Sequence, residues 1–405
     1  MPETKRPARV AIFAKLVFTM GDDAPIDDGG IIVEGDRIVE VGRRTALENL
    51  VKDARRVDAR ECALLPGFIN MHVHLDAHGD ADFLTTARLL DEQTATLAAA
   101  ASARDALAAG VTTVRDLGTK FGVAIAVRDA VAKGWLSGPH ILAAGKPVCM
   151  TGGHGWFIAL ESDGPHEMRK AVRQNLKMGA DCIKVIATGG VLSPGVEVGS
   201  VQLDEDEMSV AVREARKAGR RVAAHAIANS GIKNAVRCGI DTVEHGCFLD
   251  AEAVEMMKKA GTWYVPTLCA PDALYRRLDD VPAYVARKVK EVYEAHRESF
   301  RLALREGVRI VTGTDAGTPF NRHGDYAREL VLMAELGMPI ERALRAGTAD
   351  AADALGLAHE IGAIAPGKRA DVVLIDGDPR RDIRATQRVK GVMARGSAAF
   401  AQSDG

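Results

Sequence analysis

An apolar segment runs directly into two histidines at residues 65–76, Leu65-Pro66-Gly67-Phe68-Ile69-Asn70-Met71-His72-Val73-His74-Leu75-Asp76. The segment begins with the composition of a buried strand. Side chains at positions i and i+2 of an extended strand point the same way, so His72 and His74 are expected to project together from its end. Two imidazoles placed in this way form a chelating pair for a metal ion. A lone His-x-His also occurs by chance on strands, so the rest of the chain must decide between the two interpretations.

The middle of the chain repeats one pattern, in which a helical stretch ends in glycine and passes into a short β-branched run. Glycine is the usual left-handed stop of a helix, and short apolar runs without strict alternation are typical of buried parallel strands. Together with the opening strand, these runs give eight strand candidates; the others are residues 111–114, 140–144, 182–185, 222–225, 242–245, 263–265 and 309–311. Eight successive βα units predict an α/β fold, a (β/α)8 TIM barrel with its active site at the carboxyl ends of the strands.

Both ends of the chain have a different sequence pattern from the middle. Residues 8–45 and 370–400 contain short apolar runs separated by Gly and Asp turns, which is a signal for hairpins. We therefore predict one small β-sandwich built from both chain ends, residues 1–63 and 361–405, with the barrel, residues 64–360, inserted between its halves.

The composition argues against several classes of protein. A net charge of -2 without a polybasic run provides no field for nucleic acid or an anionic membrane. The 6 cysteines form no C-x-x-C pair, which suits buried thiols in a reducing compartment. Residues 1–6 lead into no signal-peptide core, and no apolar run reaches membrane-spanning length. We expect a cytoplasmic homo-oligomer that binds neither nucleic acid nor a membrane.

Ligand-type side chains lie in or just after several predicted strands. Each one alone has an ordinary explanation, such as a hydrogen-bonded core histidine or an aspartate that caps a helix. Six of them at one rim of a barrel predict a shared site, and they are His72, His74, Lys184, His225, His245 and Asp315. Neutral imidazole and carboxylate are ligands suited to Zn²⁺ and its first-row neighbours.

Four histidines and one aspartate are enough to hold two metal ions, but two dications about 3.5–4 Å apart need an anion between them. An ammonium group at Lys184 would repel both ions. Burial in a strand favours the neutral amine instead, and a neutral amine can take up CO₂ to become a carbamate with two bridging oxygens. We therefore predict two divalent metal ions, with zinc as the native metal, and a CO₂-derived carbamate on Lys184.

This set of residues resembles the amidohydrolase superfamily in its binuclear, carboxylated-lysine form. The segment at residues 361–372 resembles the family's C-terminal signature, and residues 150–155 and 188–195 resemble the prolidase-like subgroup. That subgroup cleaves dipeptides with C-terminal Pro, Arg, Lys or apolar residues, and related amidases cleave N-acyl amino acids. The resemblance implies a first metal held by His72, His74 and Asp315, a second held by His225 and His245, and a bridging Lys184.

The resemblance also implies the reaction. A metal-bridging hydroxide would attack an amide carbonyl of a dipeptide or N-acyl amino acid, while Asp315 takes its proton and delivers it to the leaving nitrogen. His154 lies among glycines with little to pack against, so we interpret it as a donor to the scissile carbonyl or the oxyanion. His323 and Arg328, which follow the eighth strand, are candidates for substrate contact.

One position departs from the subgroup pattern. Where a second His or Tyr, able to contact the substrate carboxylate, often follows the strand-5 histidine by two residues, this chain has Ile227, which favours a more apolar or a differently anchored substrate. Asp76 is a candidate either for support of a ligand histidine or for a direct role. Two other functions stay open. A mononuclear deaminase or cyclic-imide hydrolase of the same superfamily, imidazolonepropionase-like, would leave Lys184 unmodified, and a non-enzymatic scaffold would lack the ligands.

Overall fold

A computed structural model describes residues 9–21 and 24–401. The strands are β1 (Arg9–Val17), β2 (Ile26–Glu34), β3 (Arg37–Arg43), β4 (Arg55–Pro66), β5 (Phe68–Val73), β6 (Val111–Asp116), β7 (His140–Ala143), β8 (Val148–Cys149), β9 (Leu160–Glu161), β10 (Cys182–Ile186), β11 (Arg221–Ala226), β12 (Thr242–His245), β13 (Trp263–Val265), β14 (Val372–Asp376), β15 (Val389–Ala394) and β16 (Ser397–Ala401). Residues 1–6, on which the expectation of no signal peptide depends, lie outside the described residues.

The α-helices are α1 (Arg44–Leu47), α2 (Phe83–Leu89), α3 (Glu92–Ala108), α4 (Ala124–Ala132), α5 (Gly164–Met178), α6 (Glu205–Lys217), α7 (Asn229–Arg237), α8 (Ala251–Ala260), α9 (Cys269–Tyr275), α10 (Ala283–Glu306), α11 (Ala327–Glu335), α12 (Ile340–Ala346) and α13 (Ala349–Leu355). Short 3₁₀ helices lie at Glu48–Leu50, Lys120–Gly122, Leu278–Asp280, His323–Asp325 and Ile383–Gln387. The predicted glycine stops are present, since α5 and α10 end at Gly179 and Gly307 with φ of 97° and 79°. Among the described residues, no helix combines the length and apolar character that crossing a membrane requires.

Strands from both chain ends form one seven-stranded sheet, in the order β16-β15-β14-β4-β1-β2-β3. The two ends meet where β14 pairs antiparallel with β4, placing Val373 opposite Leu65. Side chains from six of these strands share one core, which includes Ile12, Val33 and Val372. The predicted β-domain formed by both chain ends is therefore confirmed.

The strands between these ends form the barrel. Parallel pairs join β5-β6-β7 and β8-β10-β11-β12-β13, and the two groups are connected where Asp181 N donates to Ala143 O at 2.8 Å. The eighth predicted strand, at residues 309–311, contributes a single parallel bridge between Ile310 and Tyr264. The segment still closes the barrel, because Met71 N donates to Thr312 O at 3.0 Å on its other side. The (β/α)8 barrel is confirmed, with a shorter eighth strand than predicted.

Contacts within the chain divide it into two units. The first contains residues up to Ile69, Ala106–Thr112 and the chain from Pro339 onward, and the second contains Asn70–Asp105 and Thr113–Met338. The helices α12 and α13 thus belong to the first unit. The predicted domain boundaries after residues 63 and 360 stay a prediction. All side chains of the site described below belong to the second unit.

The eighth segment approaches β5 so closely that Gly313 has no room for a side chain. A Cβ atom there would lie 2.4 Å from Val265 Cγ1 and 2.9 Å from His72 Cβ. We expect Gly313→Ala to lower the free energy of unfolding by about 1–3 kcal/mol through overpacking, which thermal or urea unfolding would measure. Gly324→Ala is the matched control, because a Cβ at Gly324 meets no atom of a described residue within 4 Å. Equal unfolding midpoints for the two variants would contradict the prediction.

Candidate active site

The two histidines at the end of β5 lie side by side, as strand alternation predicts. His72 Nδ1 donates to Glu244 Oε2 at 2.9 Å, and His74 Nδ1 donates to the carbonyl oxygen of Gly118 at 2.6 Å. Because each Nδ1 carries a proton, each Nε2 of the neutral ring presents a lone pair. Both Nε2 atoms face Asp315 Oδ1, at 3.3 Å from His72 and 3.2 Å from His74.

Asp315 is held over these nitrogens by a left-handed backbone with φ of 58°. A residue other than glycine keeps this conformation only when its surroundings support it. Here Asp315 N donates to the His72 carbonyl at 2.8 Å, and the Asn321 amide donates to the Asp315 carbonyl at 3.0 Å. Burial opposes protonation of His74, but its hydrogen bond with Asp315, the negative charges of Asp315 and Asp116 and the Gly118 carbonyl together outweigh burial and raise the pKa of His74. A bound metal would displace this shared proton.

His225 and His245 are fixed in complementary tautomers. His225 Nε2 donates to the Gly189 carbonyl at 3.0 Å, which leaves Nδ1 as the lone pair. His245 Nδ1 lies 2.7 Å from Thr267 Oγ1, and that hydroxyl already donates its single proton to the Pro266 carbonyl at 2.6 Å. Thr267 must therefore accept from His245 Nδ1, and His245 Nε2 is the lone pair. The centroids of the two histidine rings are 4.6 Å apart.

Lys184 lies inside β10 with 2% of its surface exposed. Its Nζ atom is 3.4 Å from His72 Nε2, so it reaches the centre of the histidine cluster. Burial lowers the pKa of Lys184 to about 8, against the opposing charges of Glu244 and Asp315. A substantial fraction of the amine is therefore neutral near physiological pH.

This donor set fits divalent metal ions. One nitrogen each from His72 and His245 and one carboxylate oxygen of Asp315 all lie within 4.8 Å of one another. Burial and neighbouring positive groups hold the pKa of His72, His225 and His245 well below the ordinary value. These rings are therefore neutral and able to bind a metal at neutral pH.

A buried ion pair behind His72 was not found by sequence reasoning. Glu244 is fully buried in β12, and its second oxygen accepts from Arg115 Nη2 at 2.9 Å. Arg115, in β6, also donates to the Met71 carbonyl at 2.7 Å. The pair orients the His72 ring and fixes its tautomer. The available signal was a charged residue in the interior of each of two short strands predicted to be buried.

Asp76 supports the site from outside it. Its Oδ2 accepts from Lys120 N at 2.7 Å, while the nearby Asp116 accepts from Gly118 N at 3.1 Å. Burial raises the pKa of Asp76 to about 7 and that of Asp116 to about 6. The two carboxyl groups hold the loop whose Gly118 carbonyl orients His74. This geometry favours the supporting role over direct chemistry for Asp76.

His154 faces the histidine cluster from the loop that follows β8. Its ring centroid is 4.5 Å from that of His225, and its Nδ1 lies 2.9 Å from Ser193 Oγ. The ring packs over Gly190, where an added Cβ would come within 2.5 Å of Nε2. Burial, with two nearby lysines, lowers the pKa of His154 to about 3. His154 is therefore a neutral group at the site.

The structure places the two predicted substrate contacts after the eighth strand elsewhere. His323 is 3% exposed, and its Nε2 donates to the Ala77 carbonyl at 2.9 Å. Arg328 pairs with Asp272 at 3.3 Å and with Glu335 at 3.4 Å. Neither side chain lines the cavity that contains the other site residues.

That cavity encloses about 900 Å³, including its open mouth. The predicted metal ligands and His154 line one part of it. The remaining wall is mostly apolar and includes Phe83, Phe157, Ile158, Val191, Leu192, Ile227, Leu274, Val289 and Val292. Apart from Lys184, no lysine or arginine is found among the described residues that line it. The arrangement combines a metal-binding cluster with space for an apolar ligand.

Several known enzymes are similar to this chain in sequence or in structure. Ochratoxinase from Aspergillus niger is 29% identical over 420 aligned residues, which cover 95% of this chain and 85% of that protein. An imidazolonepropionase from Symbiobacterium thermophilum is 25% identical, with 88% and 85% covered. The crystal structure of a Xaa-Pro dipeptidase with methionine bound in its active site is 32% identical, covers 98% of this chain and 100% of its own, and superimposes with a TM-score of 0.91.

These relatives confirm the predicted enzyme class, a metal-dependent hydrolase of amide bonds. The family model of the amidohydrolase family matches residues 63–399. This chain belongs to the amidohydrolase family.

Proposed function

We propose that this enzyme uses two divalent metal ions to hydrolyse the amide bond of a dipeptide or N-acyl amino acid that carries an apolar group. The observation that carries this proposal is that His72 and His74 face the Asp315 carboxylate, with Lys184, His225 and His245 beside them at one end of an apolar cavity. Zinc as the native metal, a cytoplasmic location and a homo-oligomeric state belong to the same proposal.

In this proposal, Lys184 carries the bridging group. His72, His74 and Asp315 would hold the first ion, His225 and His245 the second, and a carbamate on Lys184 would place an anion between them. The lowered pKa of Lys184 supports this, because CO₂ reacts with the neutral amine. When bound, such ions polarise an amide carbonyl and lower the pKa of a water molecule.

Asp315 is the proton carrier in the proposed reaction. Its Oδ1 lies next to the Nε2 atoms of His72 and His74, so its carboxylate faces the position where an attacking water would sit. Asp315 takes the proton of that water and passes it to the leaving nitrogen. This transfer makes a poor leaving group, an amide anion, into a neutral amine.

His154 polarises the amide carbonyl. The Ser193 hydroxyl accepts from Gly155 N at 3.0 Å and has its own proton available for His154 Nδ1. In that tautomer His154 Nε2 carries a proton and donates to the developing oxyanion. Its low pKa keeps the imidazole neutral, so the donor adds no charge to repel the metals.

The first test counts metals. Wild-type protein prepared with bicarbonate and Zn²⁺ should contain two ions per chain by elemental analysis, and Lys184→Ala should lose metal and activity together. Short-chain carboxylates should restore part of both by replacing the missing oxygens. Lys146→Ala is the control, because burial also lowers the pKa of Lys146 but its side chain does not line the cavity. One ion per chain at full activity would favour the mononuclear alternative instead.

The second test addresses the proton carrier. Asp315→Asn should lower kcat by at least about 100-fold, the lower end of what proton-transfer catalysis contributes. Metal content is measured on the same preparation, so that a loss of metal is not mistaken for a loss of proton transfer. Asp325→Asn, an exposed acid in the same loop, should leave kcat unchanged. A fall of less than tenfold in Asp315→Asn would exclude the assigned role.

The third test separates binding of the carbonyl from binding of metal. His154→Asn should lower kcat/KM by roughly 10²-fold, on the scale of one lost oxyanion donor, while both ions are retained. His166→Asn, at an exposed position of α5, is the matched control. If His154→Asn loses its metals or keeps the wild-type kcat/KM, the oxyanion is stabilised without His154.

A further inference from the structure

A histidine in the apolar wall of the cavity has no role in the reaction described above. His296 lies on α10, on the same helix face as Val289 and Val292, which are spaced seven and four residues before it. All three side chains line the cavity, and His296 is only 1% exposed. The same wall also includes Cys247 and Leu274. A polar ring is therefore part of a wall rich in aliphatic and thiol groups, and it lies beside the candidate metal ligand His245.

Neither ring nitrogen of His296 has a hydrogen-bond partner among the residues that the structure describes. The backbone carbonyls of Pro266 and His245 lie close enough to the ring to favour its protonated form, but neither meets the geometry of a hydrogen bond with it, and each accepts from another side chain. Thr267 Oγ1 donates to the Pro266 carbonyl at 2.6 Å, and the Tyr264 hydroxyl donates to the His245 carbonyl at 2.8 Å. Burial lowers the pKa of His296 to about 4, against the influence of these carbonyls. The neutral ring therefore presents one donor and one acceptor.

An unpaired polar group at this position costs stability, because burial removes the water that would otherwise bond to it. An apolar side chain would fill the same wall without that cost. A ligand atom that pairs with the ring would offset it. Because His296 lines the cavity, a ligand bound in the cavity can bring such an atom to its ring.

The charges around the cavity limit what this atom can be. Lys184 belongs to the metal cluster. The nearby Lys288 does not line the cavity, and its ammonium group donates to the carbonyls of Ser193 at 2.7 Å, Gly190 at 3.2 Å and Val196. A carboxylate in the apolar part of the cavity would therefore find no free cationic side chain in the described part of the chain. Moving an uncharged polar atom from water into the cavity costs less free energy than moving a charged one, and one hydrogen bond satisfies it.

We propose that His296 is a specificity-determining residue that pairs with one uncharged hydrogen-bonding atom, such as a hydroxyl or ring nitrogen, on the apolar group of the substrate. The proposal rests on the proposed amide hydrolysis and defines its substrate class. The preferred amide carries an aromatic or aliphatic group with one neutral polar atom, and a purely hydrocarbon group in the same place leaves His296 unpaired.

Isosteric substrate pairs test this proposal. N-phenylacetyl-leucine is compared with its pyridylacetyl and hydroxyphenylacetyl analogues at each ring position, and N-acetyl-phenylalanine with the corresponding pyridylalanine compounds. The metal-loaded wild type should prefer at least one polar analogue by about tenfold or more in kcat/KM, the scale of one buried hydrogen bond. His296→Phe should abolish or reverse this preference, and His296→Gln should keep part of it. Val292→Ala, on the same helix face, should change both members of a pair equally.

Two further measurements separate the role of His296 from the proposed amide hydrolysis. Thermal unfolding of the ligand-free protein should show His296→Phe at least as stable as wild type, since the variant removes an unpaired polar group. Calorimetric Kd values for the same compounds should show the same preference as kcat/KM. Equal Kd and kcat/KM for all pairs in the wild type, or an unchanged preference in His296→Phe, would overturn the role of His296. Absence of hydrolysis of every amide would instead overturn the proposed function, while the Kd ratios still decide on His296.

Discussion

The hydrogen bond from His72 Nδ1 to the buried carboxylate of Glu244 is the interaction on which the site depends. A buried carboxylate is stable only when paired, and Arg115 provides that pair from β6, across the barrel interior. Because Arg115 also bonds the Met71 carbonyl, the strand that carries His72 and the ion pair that orients it are locked together. The four histidines then share one arrangement. One ring nitrogen donates a hydrogen bond to an acceptor outside the cluster, and the other ring nitrogen keeps its lone pair for a metal ion.

Three residues of the site have backbone conformations that are unfavourable for residues other than glycine. His245, Thr267 and Asp315 all have positive φ, at 70°, 55° and 58°. Such conformations cost free energy and persist where the surrounding contacts determine them. In this barrel they turn the chain at the ends of strands, so that His245 and Asp315 aim at the cluster and Thr267 bonds His245. Three of the eight described residues other than glycine that have positive φ thus position the donors of the site.

The sequence predicts the part of this arrangement that follows from periodicity. Strand alternation places His72 beside His74, and repeated βα units bring distant ligands to one rim. Contacts that depend on the direction of individual side chains cannot be predicted from periodicity. Arg115 and Glu244 pair across the barrel interior, and His323 turns away from the cavity although it follows Asp315 by only a few residues. His296 lies on a helix between strands, where its spacing from Val292 indicates a buried face but not a cavity.

The pairing of β4 with both β1 and β14 sets the order in which this protein can be completed during synthesis. When β4 leaves the ribosome, one edge of it pairs with β1, but its other edge waits for a strand that lies about 300 residues further on, roughly 15–60 s of translation. During that interval a row of unpaired backbone groups is available to other chains. The nascent protein therefore carries an aggregation-prone edge until its last strands emerge, and a chaperone that shields this edge would raise the yield of folded enzyme.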